Sequence, residues 1–133
     1  SMLSAVPLLV IPLILYNLGL VLEPGSTNLW EGGLFSVSMM SGGIWTMTLG
    51  DALIVLTLVF LFVEIVKSTR TSNVSIIDHL LSTFVFVGYL VEFLLVQGAA
   101  HQVFFILMVI TLIDVLAGFS VSLRAAGRDV NFG

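Results

Sequence analysis

Cysteine is absent from this chain of 133 residues, and charged residues are scarce. Without cysteine there is no disulfide, no thiol nucleophile, no iron–sulfur cluster and no zinc–thiolate site. Only 9% of the residues are charged and 59% are hydrophobic, whereas soluble domains average about 25% charged and about 45–50% apolar residues. A soluble fold of this size cannot bury so much apolar surface. The composition excludes a soluble globular domain, a disordered chain and a nucleic-acid binder, and indicates a protein whose solvent is mostly lipid.

Four long apolar stretches are present, and each is about long enough to cross a hydrocarbon core of roughly 30 Å, which takes about 20 residues. The predicted spans cover residues 3–22, 51–66, 76–96 and 102–123, and a tail follows over residues 124–133. The first stretch has no basic region before it and no small-residue cleavage site, so we expect a retained membrane helix rather than a signal peptide. The sequence predicts an all-α integral membrane protein, a single-domain bundle of four transmembrane helices.

The orientation of the bundle follows from its few basic residues. Two of the four lie between the second and third spans and two follow the fourth span: Lys67, Arg70, Arg124 and Arg128. With four spans these two segments lie on the same side, which the positive-inside rule assigns to the cytoplasm. Both chain ends are then cytoplasmic, and loops 23–50 and 97–101 lie outside. We expect a multi-pass protein of the cytoplasmic (inner) membrane of a bacterial type, with Lys67, Arg70 and Arg124 as interfacial anchors.

The first outer loop contains two segments, 34–40 and 44–49, in which apolar and small polar residues alternate around a Ser-Gly-Gly turn. This pattern predicts an extracytoplasmic β-hairpin between the first and second helices. Its apolar face would carry Phe35, Val37, Met39, Trp45, Met47 and Leu49, and its polar face Ser36, Ser38, Thr46 and Thr48. Because a lone hairpin is marginal in water, we expect the apolar face to cover the helix ends or lipid headgroups, with Trp30 and Trp45 as interfacial anchors. A disordered loop or a re-entrant helix is the alternative.

The first span contains two prolines. Pro7 can lie in a first turn without cost, but Pro12 lies inside the predicted helix and would remove one hydrogen bond. We therefore expect a bend at Pro12, as a packing kink or as a gating hinge.

Polar side chains form one stripe on each of the last three predicted helices. The stripes are Thr57 and Glu64; Asp78, Ser82, Tyr89 and Glu92; and Thr111, Asp114, Gly118 and Ser122. Such stripes face the interior of a bundle.

Asp114 is the deepest of the ionisable residues. It lies nine residues from the inner end of the fourth span, which is about 13 Å at about 1.5 Å per residue. Thr57, Ser82 and Tyr89 fall near that level, so we expect their hydroxyls to hold the Asp114 carboxyl, with no cation nearby. Ionisable groups inside a bilayer are costly and are functional candidates by default. Asp114 is either a proton- or ion-binding carboxyl or a hydrogen-bonded acid that locks the bundle.

Two further pairs lie nearer the membrane surfaces. Glu64 and Lys67 are three residues apart and can pair on a helix surface. Glu92 and His101 flank a tight outer turn, so we expect a contact between them, direct or through water, that responds to pH near neutrality. The alternative is a surface histidine beside a snorkelling glutamate.

Catalytic and cofactor motifs are missing from the sequence. His79 and His101 are 22 positions apart in a mostly helical stretch, which is about 30 Å, so one chain cannot supply both axial ligands of a haem. There is no HExxH motif, no phosphate-binding loop and no Ser-His-Asp set at one depth. We expect no catalytic residues, no cofactor and no metal.

Four spans, cytoplasmic ends and an outer hairpin after the first helix resemble the claudin-like tetraspan plan, and Asn28-Leu29-Trp30 is similar to the Gly-Leu-Trp signature of that family. The paired cysteines that follow the signature in that family, and the length of its outer loop, are absent here. The resemblance implies a membrane protein that contacts lipids.

The shortage of converging reactive groups favours a structural, interaction or accessory subunit, as a homo-oligomer or within a larger membrane complex. The alternatives are a small proton- or ion-coupled transporter or channel that uses Asp114, and a lipid-binding membrane protein with the tetraspan plan. Membrane lipids are the expected partners, and nucleic acid is not.

Overall fold

The computed structural model describes residues 6–24, 28–69 and 73–132. Within these ranges the chain is mostly helical, with four α-helices and one antiparallel two-stranded hairpin. The elements are α1 (Val10–Leu22), β1 (Gly33–Ser38), β2 (Ile44–Thr48), α2 (Leu49–Lys67), α3 (Asn73–Leu95) and α4 (Gln102–Phe132). Short 3-10 turns occupy Asn28–Glu31 and Gln97–Ala99. We call the two ends of the bundle the hairpin end and the Lys67 end.

Three of the described helical segments are long and apolar enough to cross a membrane: Leu49–Lys67, Ile76–Leu95 and Gln102–Val121. Helix α1 is also apolar, but it has only 13 residues. It begins at Val10, seven residues after the start of the predicted span. Helix α4 continues to Phe132, beyond the predicted end at residue 123.

The late start of α1 changes the role of Pro12. Pro12 is the third residue of the helix, in the first turn, where backbone N–H groups have no partner within the helix. Its missing N–H therefore costs nothing, and the Leu8 carbonyl accepts a hydrogen bond from the Ile11 amide at 3.0 Å instead. The prediction of a bend inside the helix is wrong, because the helix boundary lies later than the apolar pattern suggests.

The predicted hairpin is confirmed. Phe35 pairs with Met47, Val37 with Trp45, and Ser36 with Thr46. The Ser36 and Thr46 hydroxyls lie 2.7 Å apart on the polar face, and the Phe35 and Trp45 rings meet edge to face at 5.7 Å on the apolar face. Gly42, with φ of 91°, closes the turn in the left-handed region that favours glycine. The division into two faces follows the alternation in the sequence.

The outer part of the apolar face is not covered by the helices. Phe35, Val37, Met39 and Trp45 are 42–48% exposed, while Met47 and Leu49, nearer the bundle, are partly buried. The helix ends were one of the two surfaces expected to cover this face, and they cover only the part that carries Met47 and Leu49.

Strand β2 passes directly into α2 through a capping box. The Thr48 hydroxyl accepts a hydrogen bond from the Asp51 amide, and the Asp51 carboxylate accepts one from the Thr48 amide, both at 3.1 Å. This reciprocal pair satisfies two backbone donors and fixes the direction in which the chain enters the helix.

The apolar core lies toward the hairpin end of the bundle. Helix α4 packs against α2 and α3 and contributes Val103, Phe104 and Leu107 to this core. The Tyr16 ring stacks on the Trp30 indole with centroids 5.0 Å apart, and the Tyr16 hydroxyl donates to the Gly98 carbonyl at 2.8 Å. The core therefore joins α1, the Asn28–Glu31 turn, the Gln97–Ala99 turn and α4.

Trp30 depends on a glycine. A Cβ atom at Gly19 would overlap Cζ2 of the Trp30 indole, whereas a Cβ at Gly88, on the exposed side of α3, would meet open space. Gly19 thus creates the space that the indole fills.

We expect Gly19→Ala to lower the free energy of unfolding by about 1–3 kcal/mol, because the added methyl group overpacks a filled core. Gly88→Ala is the matched control and should raise that free energy by about 0.5–1 kcal/mol, because alanine favours the helix interior. Thermal unfolding in detergent, followed by circular dichroism, measures both. Equal unfolding midpoints for the two variants would contradict the packing of Trp30 on Gly19.

Candidate functional site

Polar and charged side chains are buried in the bundle among the described residues. They are Thr57, Glu64, Asp78, Ser82, Thr111 and Asp114. All belong to the stripes seen in the sequence on the second, third and fourth predicted helices. The stripes therefore face the interior.

Glu64 and Lys67 form the centre of this polar interior. The Glu64 carboxylate, in a residue only 1% exposed, accepts hydrogen bonds from the Leu8 amide at 2.6 Å and from Lys67 Nζ at 3.1 Å. Lys67 Nζ also donates to the Val6 carbonyl at 2.9 Å and lies 3.4 Å from Asp78 Oδ1. The predicted Glu64–Lys67 pair is confirmed, but it is buried rather than exposed. It ties the segment before α1 to α2 and α3.

Asp114 belongs to the same group. The Ser82 side chain hydrogen-bonds to its carboxyl group, and Glu64, Asp78 and Lys67 are close enough to interact with it electrostatically. We call these five residues the carboxylate cluster: Glu64, Lys67, Asp78, Ser82 and Asp114. The expectation that no cation lies near Asp114 is wrong, because the long Lys67 side chain turns into the bundle and is only 11% exposed.

Two of the three hydroxyls expected at Asp114 donate their protons elsewhere. The Thr57 hydroxyl donates to the Leu53 carbonyl of its own helix at 2.7 Å, and the Tyr89 hydroxyl donates to the Leu9 carbonyl at 2.9 Å. Both side chains are fully buried. Tyr89 still lies near the cluster. Its hydroxyl binds the Leu9 carbonyl, and the amide of the adjacent residue, Leu8, donates to Glu64.

The expected Glu92–His101 pair is replaced by two other contacts. Glu92 Oε1 accepts a hydrogen bond from Asn17 Nδ2 at 3.0 Å, and among the described residues its buried Oε2 has no hydrogen-bond partner. His101 Nε2 lies 3.6 Å from Glu31 Oε1, and its Nδ1 accepts from the Val103 amide at 3.1 Å. The correction arises because α1 carries Asn17 to Glu92 and the turn Asn28–Glu31 carries Glu31 to His101.

The expected interfacial anchors have different environments. Trp30 is 6% exposed and belongs to the core, so its prediction as an interfacial anchor is wrong. Trp45 is exposed on the hairpin, and Lys67 is held in the carboxylate cluster. Arg70 and the side chain of Arg124 lie outside the described residues.

Asn17 is a polar contact that the sequence reasoning missed. It donates both to Glu92 and to the Leu13 carbonyl, at 2.8 Å. The sequence did carry a signal for this contact, because Asn17 is the lone amide side chain in the otherwise apolar α1 sequence.

The side chains of the cluster can exchange protons and hydrogen bonds. Among residues 6–24, 28–69 and 73–132, no group of three or more His, Cys, Asp or Glu side chains is arranged to hold a metal ion. The described cluster offers three carboxyls, one ammonium and one hydroxyl.

Comparison of the chain with protein-family models, with curated proteins and with solved structures gives no match. Its function therefore has to be argued from its own residues.

We expect Lys67→Met to lower the free energy of unfolding by about 3–5 kcal/mol, because it leaves the buried Glu64 carboxylate without its cation. Lys67→Arg, which keeps the charge, should have a clearly smaller effect. Denaturant titration in detergent micelles measures both variants against the wild type. A Lys67→Met protein as stable as the wild type would contradict the buried pairing.

Proposed function

We propose that this chain is a four-span protein of a bacterial-type cytoplasmic membrane, with both ends in the cytoplasm and the hairpin outside. In this membrane it serves as an interaction or accessory subunit, alone as a homo-oligomer or within a larger complex.

The distribution of polarity supports the membrane setting. Large apolar side chains such as Leu18, Phe62, Phe84 and Leu116 are more than half exposed on all four helices, while carboxylates are buried inside. Water as the surrounding solvent would favour the reverse arrangement, whereas lipid favours apolar surfaces outside and paired polar groups inside.

The contacts of the first helix support four crossings rather than three. The segment before α1 binds Lys67 and Glu64 at one end of the bundle, and Gly19 packs against Trp30 at the other. Residues 6–22 thus cover the same depth as the longer helices. An even number of crossings keeps all four basic residues on one side, as the positive-inside rule requires.

The hairpin supports the interaction role, and its exposed apolar face is the observation that carries it. Residues 32–50 contain no charged residue, and the Phe35–Trp45 pair is left uncovered by the helices. Exposed apolar patches mark interaction sites, and aromatic residues and methionine are enriched in protein interfaces. The bundle has its own core without this face.

We expect a cysteine at Ser41 to react with a membrane-impermeant maleimide in intact spheroplasts, because the hairpin turn lies outside. A cysteine at the exposed Thr69, at the Lys67 end, should react only after lysis. The chain has no native cysteine, so each variant carries a single label site. Labelling of Thr69→Cys in intact spheroplasts would contradict the orientation.

The same hairpin allows a matched test of the interaction role. A photo-cross-linking amino acid at Val37, on the apolar face, should give a discrete protein adduct in native membranes. The same probe at Ser38, the next residue and on the opposite face, should not. Identical patterns from both positions, or no adduct from Val37, would contradict the role.

A second candidate function is proton- or ion-coupled transport at Asp114. It is favoured by the burial of three carboxyl groups around Lys67, those of Glu64, Asp78 and Asp114. Ionisable groups buried inside a membrane bundle are candidate sites for a proton or a small cation.

For this second candidate we expect proteoliposomes with the wild-type chain to pass protons or monovalent cations, and Asp114→Asn to abolish the flux because it cannot take up charge. A pH-sensitive dye or an ion electrode measures the flux, and Leu116→Ala, at an exposed position of the same helix, serves as the control. Equal flux in wild type and Asp114→Asn, whether high or absent, would contradict transport through Asp114.

A further inference from the structure

An apolar groove runs between α1 and α2 at the hairpin end of the bundle. Its volume is about 430 Å³, and its walls are formed by Leu15, Leu18 and Leu22 on one side and Ala52 and Leu56 on the other. Trp30 also lines the groove, although it is only 6% exposed. One side of the Trp30 indole therefore packs in the apolar core, and the other side faces the groove.

The lining restricts the chemistry of an occupant. The lining side chains are apolar apart from the Trp30 indole, so a ligand with polar groups along its length would lose hydrogen bonds on entering. An extended peptide carries a backbone N–H and C=O at each residue and is disfavoured for the same reason. A hydrocarbon chain has no such cost.

The groove has two competing kinds of apolar occupant. From Leu15 to Leu22 it is about 10 Å long at about 1.5 Å per residue, which suits part of a hydrocarbon chain. A helix from a second copy or from a partner is the competing occupant, and it would join two chains in one particle.

The charges around the mouth favour one class of headgroup. Glu23 follows Leu22 at the end of α1, and Asp51 precedes Ala52 at the start of α2; both are exposed. The C-terminus of α1 adds partial negative charge from its unpaired carbonyls, whereas Asp51 already offsets the partial positive charge at the N-terminus of α2 through the capping box. Residues 1–66 contain no lysine or arginine, and His101, the nearest basic side chain described at this end, faces Glu31. An anionic headgroup would be repelled here, whereas an ammonium group would be attracted.

We propose that this groove binds the hydrocarbon tail of a zwitterionic phospholipid whose headgroup ends in an ammonium, such as phosphatidylethanolamine, with the ammonium beside Glu23. The proposal rests on the membrane placement proposed above and is independent of the interaction role of the hairpin. It assigns the outer leaflet as the source of the lipid.

The position of Trp30 supplies a direct probe. The chain has two tryptophans, so Trp45→Phe leaves Trp30 as the sole indole. In vesicles of unlabelled phosphatidylglycerol, which lacks an ammonium, a small fraction of phosphatidylethanolamine with brominated acyl chains should quench Trp30 fluorescence. Brominated phosphatidylglycerol should need a fraction about 1.5- to 5-fold higher for the same quenching, which is the range expected for an exposed charge pair.

A groove-filling variant separates a bound lipid from the surrounding lipid. Ala52→Phe, in the Trp45→Phe background, should remove the headgroup-selective quenching because the new ring occupies the groove. Val55→Phe is the matched control, since Val55 lies on the same helix, is 49% exposed and does not line the groove. Glu23→Gln should reduce the preference for the ammonium lipid and leave the chain folded.

Four outcomes would overturn the proposal. Equal quenching by the two brominated lipids would remove the headgroup selection, and unchanged quenching in Ala52→Phe would show that bromines reach Trp30 from bulk lipid. A change of oligomeric mass in Ala52→Phe, measured by light scattering in detergent, would identify the groove as a helix contact. Failure of the chain to float with vesicles would overturn the membrane placement together with the lipid site.

Discussion

The Lys67 ammonium is the group on which the Lys67 end of the structure depends. It is the one cation found among the described members of the carboxylate cluster, and it contacts Glu64, Asp78 and the Val6 carbonyl. Charges removed from water are costly unless they are paired and hydrogen-bonded. This requirement explains why the segment before α1 folds back onto α2, since the Val6 carbonyl and the Leu8 amide complete the shells of Lys67 and Glu64.

The hairpin end is stabilised mainly by apolar packing. There the Tyr16–Trp30 stack, Phe104 and the space left by Gly19 form an apolar core with few polar demands. One end is therefore specified by hydrogen-bond geometry and the other by shape. The lipid site is proposed at the hairpin end, where apolar packing suits a hydrocarbon tail. The proton or ion site is proposed at the Lys67 end, where charged groups are buried.

Periodicity in the sequence was sufficient to predict the hairpin, its two faces and the inward stripes of the last three helices, since these depend on local alternation with periods of two and 3.6 residues. It did not reveal the start of α1, the burial of Trp30 or the Asn17–Glu92 contact. Each of these depends on which helix packs beside which, and a uniformly apolar helix such as α1 carries little pattern that encodes its neighbours. Arg70 and Arg124, whose side chains lie outside the described residues, remain predictions as anchors.

The capping box at Thr48 has a mechanical consequence. Strand β2 ends at Thr48 and α2 begins at Leu49, so no flexible residue separates the hairpin from a helix of 19 residues, about 28 Å long. The far end of that helix carries Glu64 and Lys67. The direction of the hairpin is therefore set by the same helix that holds the ion pair at the opposite end of the molecule.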